Sequence, residues 1–185
     1  LKASDGTVVN AVRGTLDAIG VLLEQFEPGA VIAAWDNAWR PAWRVDLIPE
    51  YKAHRVVQGT TDSEDVPSLL APQIPLVREA FGLLGIPVIG ADGQEADDVL
   101  GALSREWNGW TIVVSGDRDL FQWADDSRQV SVLYTGAGMK KLQHVDDAWL
   151  NAKYGLAPGQ YLDFAALRGD ASDGLPGVAG IGDKT

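Results

Sequence analysis

Residues 86–119, IPVIGADGQEADDVLGALSREWNGWTIVVSGDRD, decide the fold class of this chain. The apolar runs at 86–89 and 110–114 lack polar alternation, which is typical of strands buried on both faces of a parallel sheet. Between them, apolar residues recur at helical spacing and predict a helix over 95–107. Two buried strands joined by a helix form a right-handed crossover unit, so this stretch predicts an α/β fold.

The same alternation of helices and strands continues on both sides of that unit. The expected helices cover 12–26, 74–84 and 120–123, and two more follow Asp146 and Pro158. The expected strands cover 30–35 and 130–134. The sequence therefore predicts a parallel sheet with helices on both faces.

The composition narrows the class of protein. The chain has 185 residues, with 15 lysines and arginines against 26 aspartates and glutamates, and a formal net charge of −11. It contains no cysteine, which excludes a disulfide scaffold and thiolate metal sites. No apolar run reaches the roughly 18 residues of a membrane span, so we expect no membrane contact. The net charge alone argues against a simple electrostatic interaction with nucleic acid.

The segment 37–73 interrupts the alternation of helices and strands with 37 residues of little apolar periodicity. Loops longer than about 15 residues are uncommon in compact domains and are usually functional or disordered. Up to residue 59 the segment is basic, with four cationic residues against two acids: Arg40, Arg44, Lys52 and Arg55 against Asp46 and Glu50. A floppy surface insertion and a substrate-binding element both remain open, and the reversed charge favours the second.

Acidic residues collect where the predicted strands end, and a further pair lies near the C-terminus. These residues are Asp36, then Glu95, Asp97 and Asp98, then Asp117 and Asp119, and finally Asp170 and Asp173. Open α/β sheets form their sites at the carboxyl ends of strands. The i, i+3 spacing of the last pair predicts two side chains on one helical face. Helix capping remains an alternative for residues 95–98, because helix N-termini favour carboxylates.

Carboxylates packed together repel one another, and divalent cations remove that cost. Oxygen ligands without cysteine or suitably spaced histidine select Mg²⁺ or Mn²⁺ over Zn²⁺. The number of acids exceeds what one Mg²⁺ needs. The sequence therefore predicts two metal positions, as in phosphodiester displacement.

The C-terminal stretch 175–185, LPGVAGIGDKT, combines a tight turn with the start of a predicted helix. Its glycines allow close approach of the backbone, and consecutive N–H groups can bind a phosphate. This pattern is typical of the hairpin in a helix-hairpin-helix module, which contacts duplex backbone without reading base sequence. A plain loop is the alternative.

Several colinear motifs resemble one known family. They are GTVVNA at 6–11, WD at 35–36, WR at 43–44, PEYKAHR at 49–55, GQEADD at 93–98, SGDRDL at 115–120, YGL at 154–156 and LRGDASDGLPGVAGIGDKT at 167–185. The chain resembles the bacterial 5′ nuclease domain, the flap endonuclease-like 5′–3′ exonuclease found alone or at the N-terminus of DNA polymerase I. The resemblance implies a PIN-like nuclease domain over 1–150, with 37–73 as a helical arch. Residues 151–185 would begin a helix-hairpin-helix region, which we expect to continue past Thr185.

The resemblance also implies roles for individual residues. The first metal site would comprise Asp36, Glu95, Asp97 and Asp98, and the second Asp117, Asp119, Asp170 and Asp173. The catalytic cations would be Lys52, Arg44 and Arg55, with Lys52 and Arg44 near the scissile phosphate. Tyr51, Lys52 and Arg55 would lie on the arch or its base and contact DNA. Duplex DNA would bind at Gly177, Gly180, Gly182 and Lys184, with a K⁺ ion possible at the hairpin.

The implied function is two-metal hydrolysis of DNA phosphodiester bonds near 5′ ends or flap junctions, in replication or repair. The DNA would carry a 5′ flap, a 5′ overhang, a nick or a gap, and the protein would be a monomer of the bacterial cytosol, alone or working with a polymerase. The family begins with a strand bearing a metal-ligating aspartate that is absent here, so a non-catalytic DNA-junction-binding module is one alternative. A metal-dependent phosphatase with Asp36 as nucleophile is another.

Overall fold

The computed structural model describes residues 1–61 and 63–182 and has the expected α/β architecture. The helices are α1 (Asn10–Phe26), α2 (Ala42–Leu47), α3 (Ile74–Leu83), α4 (Ala96–Glu106), α5 (Asp147–Tyr154) and α6 (Tyr161–Arg168). The strands are β1 (Ala33–Ala34), β2 (Val88–Ile89), β3 (Thr111–Ser115), β4 (Val130–Tyr134) and β5 (Gln143–Val145). Within the described residues, no helix has the length and hydrophobicity needed to cross a membrane.

The strands form one two-stranded and one three-stranded sheet. β1 pairs in parallel with β2, with Ala33 opposite Val88. β3 pairs in parallel with β4, with Thr111 opposite Val130, and β5 lies antiparallel on the other side of β4. The parallel pairs confirm the predicted class, because each is joined by a crossover that contains a helix.

Helices pack against both sheets and fix their positions. α3 contacts α1 and β2, whereas α4 contacts both β1 and β3 and so joins the two sheets. α5 packs on β5. The α4 helix therefore places the loops after β1 and β3 on either side of its own N-terminus.

The hydrophobic core lies beneath the three-stranded sheet. Its centre is Phe121, which is 1% exposed and contacts the rings of Tyr134, Trp149 and Tyr161 at centroid distances of 5.3, 5.4 and 5.4 Å. Phe121 and the fully buried Leu120 belong to a 3-10 helix over Asp119–Trp123. Burial of this short helix anchors the acidic loop that immediately precedes it.

The segment 37–73 is ordered rather than floppy in the residues that the structure describes. It contains α2 and 3-10 helices at Ala53–Arg55 and Ala71–Gln73. Arg40 Nε donates to the carbonyl oxygen of Tyr51 at 2.6 Å, and Arg40 Nη2 donates to that of Pro49 at 2.8 Å. The interpretation as a floppy insertion is therefore wrong for this part of the chain.

Candidate functional site

The structure places the acidic residues at the carboxyl ends of the strands, as predicted. Asp36 follows β1, and Asp117 follows β3 at the start of a turn. Asp36 Oδ1 accepts a hydrogen bond from the backbone N–H of Ala96 at 2.6 Å. This bond joins the end of β1 to the first turn of α4, so acids from two separate loops meet at one helix N-terminus.

Helix capping, the alternative for residues 95–98, holds for part of this group. The backbone N–H of Glu95 donates to Asp98 Oδ2 at 2.9 Å, which satisfies one of the free N–H groups at the start of α4. Asp36 satisfies another through Ala96. Glu95, the N-cap residue, forms a capping box with Asp98, and Asp36 caps the helix as well. Glu95 has further contacts besides this one.

Glu95 is the centre of a buried network of cationic partners. Its side chain is 5% exposed, and Oε2 accepts from Arg44 Nη1 at 2.5 Å and from the hydroxyl of Tyr51 at 2.6 Å. Lys52 Nζ pairs with Oε1 of the same carboxylate. Arg44 also donates two hydrogen bonds to Asp98, at 2.9 and 2.8 Å. Three predicted DNA-contacting residues thus converge on one predicted metal ligand.

The base of the predicted arch also contacts the turn that follows α6 and that is closed by the bridge between Asp170 and Leu175, which we call the C-terminal hairpin. Arg55 Nη2 lies 2.9 Å from Asp173 Oδ1 and donates to the carbonyl of Ser172 at 2.7 Å, while Lys52 Nζ is 3.9 Å from Asp173 Oδ2. The backbone N–H of Lys52 donates to the carbonyl of Asp173 at 2.8 Å. Residues 52–55 are therefore docked on the hairpin by backbone and side-chain contacts together.

Gly174 makes this docking possible. Its φ is +76°, and a Cβ atom built there would lie 2.6 Å from the carbonyl oxygen of Glu50. A side chain at this position would have to push the 50–52 backbone away from the hairpin.

These contacts change the interpretation of Tyr51. The side chain is 7% exposed and its hydroxyl is bonded to Glu95, so its position does not favour the predicted contact with DNA. Burial and the hydrogen bond to Glu95 both raise the pKa of Tyr51, which keeps it neutral and a hydrogen-bond donor. Tyr51 therefore stabilises the site through its hydrogen bond to Glu95. Trp43, by contrast, is 44% exposed beside it, with the Arg44 guanidinium 4.5 Å from its ring centroid.

A second group of acids has no such cationic partners. We call Glu95, Asp98 and Asp173 the ion-paired carboxylates. The unpaired carboxylates are those with no described lysine or arginine nitrogen within 4.0 Å: Asp36, Asp97, Asp117, Asp119 and Asp170. Several of the unpaired group are held by hydrogen bonds instead, since Asp117 Oδ1 accepts from the Asp119 N–H at 2.9 Å.

Two serines orient members of this group, and sequence analysis gave neither a role. The Ser172 hydroxyl and N–H both donate to Asp170 Oδ1, at 2.5 and 2.7 Å. Ser115 Oγ accepts from the N–H of Asp117 at 3.0 Å. The signal for the first was present in the sequence, because an acid two residues before a serine is the spacing of a side-chain-capped turn.

The unpaired carboxylates repel one another. Burial, together with the charges of Asp117, Glu95 and Asp36, raises the pKa of Asp97 to about 7. Burial likewise raises the pKa of Asp119 to about 6, with added repulsion from Asp117 and other carboxylates. For Asp98 the effect of burial is outweighed by the hydrogen bond from Arg44, so its pKa falls below the usual value. The two groups therefore differ in electrostatic state as well as in partners.

The donor set fits a hard divalent cation in its chemistry. All the ligands on offer are carboxylate oxygens, and the raised pKa values mark negative charge that the protein's own cations do not neutralise. Within residues 1–61 and 63–182, no three acidic or histidine side chains converge closely enough to enclose an ion. The assignment of eight ligands to two metal sites therefore stays a prediction.

The C-terminal pair does not lie on a helix, so that expectation is wrong. α6 ends at Arg168, and Asp170 forms a β-bridge with Leu175 across a tight turn. The turn still brings Asp170 and Asp173 together, because the N–H of Asp173 donates to the carbonyl of Asp170 at 3.3 Å.

The glycines predicted to bind DNA form the turn that follows. Gly177 and Gly180 have φ values of +64° and +86°, the left-handed conformation that favours glycine. Gly182 is the last described residue, and Lys184 lies outside the described residues. The predicted contacts of these residues with duplex DNA stay predictions.

The chain is thus an α/β domain with carboxylates at the ends of its strands and a basic segment that pairs with three of them. The chain matches the family model described as 5′-3′ exonuclease, N-terminal resolvase-like domain, over residues 1–155. This chain therefore belongs to the 5′-3′ exonuclease family.

Curated relatives agree with this membership. A 5′-3′ exonuclease of Streptomyces coelicolor is 50% identical over 188 residues, which cover 100% of this chain and 62% of that protein. A 5′-3′ exonuclease of Mycobacterium tuberculosis is 49% identical over 195 residues, covering 100% of this chain and 61% of that protein. DNA polymerase I of the same species is 41% identical over 187 residues, which are 20% of its length. The chain spans about three fifths of the two exonucleases.

Solved structures share the fold. The T5 D15 protein co-crystallised with metal ions superposes with a TM-score of 0.72 at 20% identity, covering 94% of this chain and 64% of that chain. The catalytic core of Rad2 in complex with a DNA substrate has a TM-score of 0.53 at 22% identity, covering 98% of this chain and 53% of that one. At these identities, the likeness shows the fold alone.

Proposed function

We propose that this protein is a structure-specific 5′ nuclease that hydrolyses DNA phosphodiester bonds near 5′ ends or flap junctions. One observation carries the proposal: unpaired carboxylates and partly buried cationic side chains lie at the same edge of a 5′-3′ exonuclease fold. The first group suits metal ions, and the second suits the phosphate that those ions act on. The names of the relatives support this activity, since they include 5′-3′ exonucleases and DNA polymerases I.

We propose that the unpaired carboxylates are the main metal ligands. Asp36 and Asp97 would hold one ion and Asp117, Asp119 and Asp170 another, with the ion-paired carboxylates completing both sites. Mg²⁺ or Mn²⁺ fits such oxygen donors. Three of the solved structures with this fold are described with metal ions, which supports a metal site, and the ion named for one of them is zinc. When bound, these ions supply the positive charge and the activation of water that phosphodiester hydrolysis needs.

The chain's own cations would bind and orient the scissile phosphate. Lys52 is held between Glu95 and Asp173, and Arg44 between Glu95 and Asp98, so each guanidinium or ammonium is positioned before DNA arrives. Lys52 would donate a hydrogen bond to a non-bridging oxygen of that phosphate and stabilise the negative charge that grows there. Arg55, paired with Asp173, would hold the neighbouring part of the DNA strand.

The DNA would extend from this centre in two directions. We propose that the 5′ strand passes the segment 37–73, while the duplex rests on the turn that carries Gly177, Gly180 and Gly182. Lys184, which lies outside the described residues, would add a further contact to the duplex. Backbone N–H groups there would contact phosphates, with K⁺ as a candidate bridging ion. Solved relatives described with bound DNA support such an arrangement, and the polymerase relatives suggest joint work with a polymerase.

A 5′-flap duplex labelled at both ends tests the proposal when it is incubated with the protein and Mn²⁺ or Mg²⁺. We expect cleavage near the flap junction and none in excess EDTA. Binding without product would instead indicate a DNA-junction-binding module, and release of free phosphate from nucleotides would indicate a phosphatase.

The variant Lys52→Ala refines the test. We expect it to slow single-turnover cleavage far more than it weakens DNA binding, because Lys52 acts on the reacting phosphate. Equal losses in rate and affinity would show that Lys52 only anchors the strand.

A further inference from the structure

A cleft of about 780 Å³ lies between the loop after β3 and the hairpin after α6. One wall carries Asp117 and Arg118, and the other carries Arg168 and Asp170. Each unpaired carboxylate in this cleft therefore has an arginine close to it in sequence: Arg118 directly follows Asp117, and Arg168 lies two residues before Asp170. The sequence analysis gave neither arginine a role.

Both arginines lie beside aromatic side chains. Arg118 lines the cleft together with Tyr134. The Arg168 guanidinium lies 5.2 Å from the ring centroid of Phe164. Arg118 is exposed and forms no ion pair with any residue that the structure describes. A guanidinium that is charged, oriented and accessible is suited to binding an anion from solution.

The charged side chains that line the cleft indicate which class of anion binds there. Without metal ions, the charges of the two aspartates and the two arginines that line the cleft cancel, so the attraction for an anion is small. Once divalent cations neutralise Asp117 and Asp170, the walls become net positive. An anion that enters together with metal ions is therefore favoured, and a DNA phosphodiester is such an anion at this site.

The lining of the cleft indicates which part of the DNA lies there. The cleft extends along the hairpin to Pro176 and Gly182, in the turn proposed to hold duplex. No described residue of the segment 37–73 lines it. The cleft therefore connects the metal-binding acids with the duplex side of the site and not with the 5′ flap side.

We propose that Arg118 and Arg168 bind the one or two phosphates on the duplex side of the scissile bond. They hold the strand between the metal centre and the hairpin turn. This inference rests on the proposed nuclease function and adds two positioning residues to it. A fork-shaped guanidinium on each wall can bind the two non-bridging oxygens of one phosphate.

Salt-dependent binding provides the first test. Fluorescence anisotropy of the protein with a 5′-flap duplex in Ca²⁺ gives Kd over a range of KCl concentrations. We expect Arg118→Gln and Arg168→Gln each to weaken binding by about tenfold. Each should also lower the slope of log Kd against log salt by about 1, since each removes one phosphate contact. Arg13→Gln, on the exposed surface of α1 in an ion pair with Asp17, is the control for loss of charge.

Chemically neutral phosphates provide the second test. A methylphosphonate placed one or two linkages to the duplex side of the cleavage point removes the charge that the arginines are proposed to contact. In the wild type this substitution should weaken binding about tenfold, whereas in the double variant Arg118→Gln/Arg168→Gln it should change little. A methylphosphonate in the flap should weaken binding equally in both proteins. Such coupling identifies direct contact and not a general effect on structure.

The outcomes separate this inference from the function on which it rests. The arginine assignment alone is overturned if the methylphosphonate and the arginine substitutions reduce the DNA-binding affinity additively. It is also overturned if the arginine variants bind and cut DNA like the wild type. A wild-type protein that neither binds nor cuts flap DNA overturns the proposed nuclease and this inference with it. Arg118→Lys keeps the charge, so we expect it to restore most of the salt slope, and equal melting temperatures confirm intact folding.

Discussion

The ion-paired and the unpaired carboxylates lie at the same edge of the fold but are stabilised in opposite ways. Glu95 has two cations and a tyrosine hydroxyl on its two oxygens, and it is almost fully buried. Asp97 is half-buried among other acids, and its pKa is raised to about 7. The negative charge of Glu95 is therefore compensated by the protein's own side chains. Asp97 carries negative charge that the protein's own side chains leave uncompensated.

This difference separates two tasks that the sequence alone cannot separate. The ion-paired carboxylates fasten the base of the segment 37–73 to α4 and to the C-terminal hairpin. The unpaired carboxylates keep their oxygens available for divalent cations. Removing an acid from the first group should therefore cost stability, whereas removing one from the second should cost activity.

The largest effect is expected from the double variant Asp117→Asn/Asp119→Asn. It should lower metal-dependent cleavage of a 5′-flap substrate by at least about 1,000-fold, because a lost metal site removes several kcal/mol of transition-state stabilisation. The melting temperature of the metal-free protein should not fall, since the change relieves repulsion. Cleavage at the wild-type rate would refute the role of these two residues.

The next largest effect is expected for Glu95→Gln, on the other side of the comparison. Loss of this charge leaves Lys52 partly buried without its nearest partner and removes one of the two carboxylate partners of Arg44, which should lower the free energy of unfolding by about 3–5 kcal/mol. Denaturant unfolding of the metal-free protein measures it. Glu79→Gln, at an exposed position on α3, is the matched control and should change stability little. A Glu95→Gln protein as stable as this control would show that the network does not stabilise the fold.

A smaller effect is expected for Gly174→Ala, which disturbs the docking of residues 50–52 on the hairpin. The cost should be about 1–3 kcal/mol, from positive φ together with the contact with Glu50. Gly159→Ala separates the two contributions, because Gly159 has φ +77° and no atom within 4 Å of the added Cβ. The docking argument requires Gly174→Ala to be the more costly change.

The smallest effect concerns pH. Burial and neighbouring acids raise the pKa of Asp97 from 3.8 to about 7. The folded protein then keeps a proton that the unfolded chain releases near pH 4. This stabilisation is present below pH 4 and is lost as the pH rises through about 7.

Thermal melting of the metal-free protein between pH 4 and 7 detects this loss. The wild type should lose more thermal stability than Asp97→Asn over this range, because the rise of the Asp97 pKa from 3.8 to about 7 corresponds to at most about 4 kcal/mol, which solvent screening of this half-buried carboxylate reduces. Asp163→Asn, at an exposed position on α6, should follow the wild type. Parallel curves for the wild type and Asp97→Asn would contradict the raised pKa.

Much of the architecture could be predicted because it depends on local pattern. The strand–helix–strand unit at 86–119 appears as β2, α4 and β3, but β2 and β3 pair in separate sheets and do not share the single parallel sheet that was predicted. Strand lengths were less predictable: the apolar run at 30–35 forms pairing strand only at Ala33–Ala34, because pairing depends on the neighbour and not on hydrophobicity. β5 gave no signal, since Gln143 and His144 interrupt any apolar pattern.

The residues of the site could be selected from the sequence, but not their partners. The acids after the strands were identifiable from position. Which of them meets a cation depends on contacts such as that of Arg44 with Glu95, 51 residues apart, which only the tertiary fold defines. The basic character of the segment 37–73 indicated binding to something negative. In this structure, that partner includes the protein's own carboxylates.

Calorimetric titration of the EDTA-treated protein with Mn²⁺ tests the central claim most directly, namely that the unpaired carboxylates are the main metal ligands. We expect saturable binding of two ions to the wild type, loss of at least one of them in Asp117→Asn/Asp119→Asn, and full retention in Arg55→Gln. Mn²⁺ binding that is absent from the wild type, or unchanged in the double aspartate variant, would contradict the account.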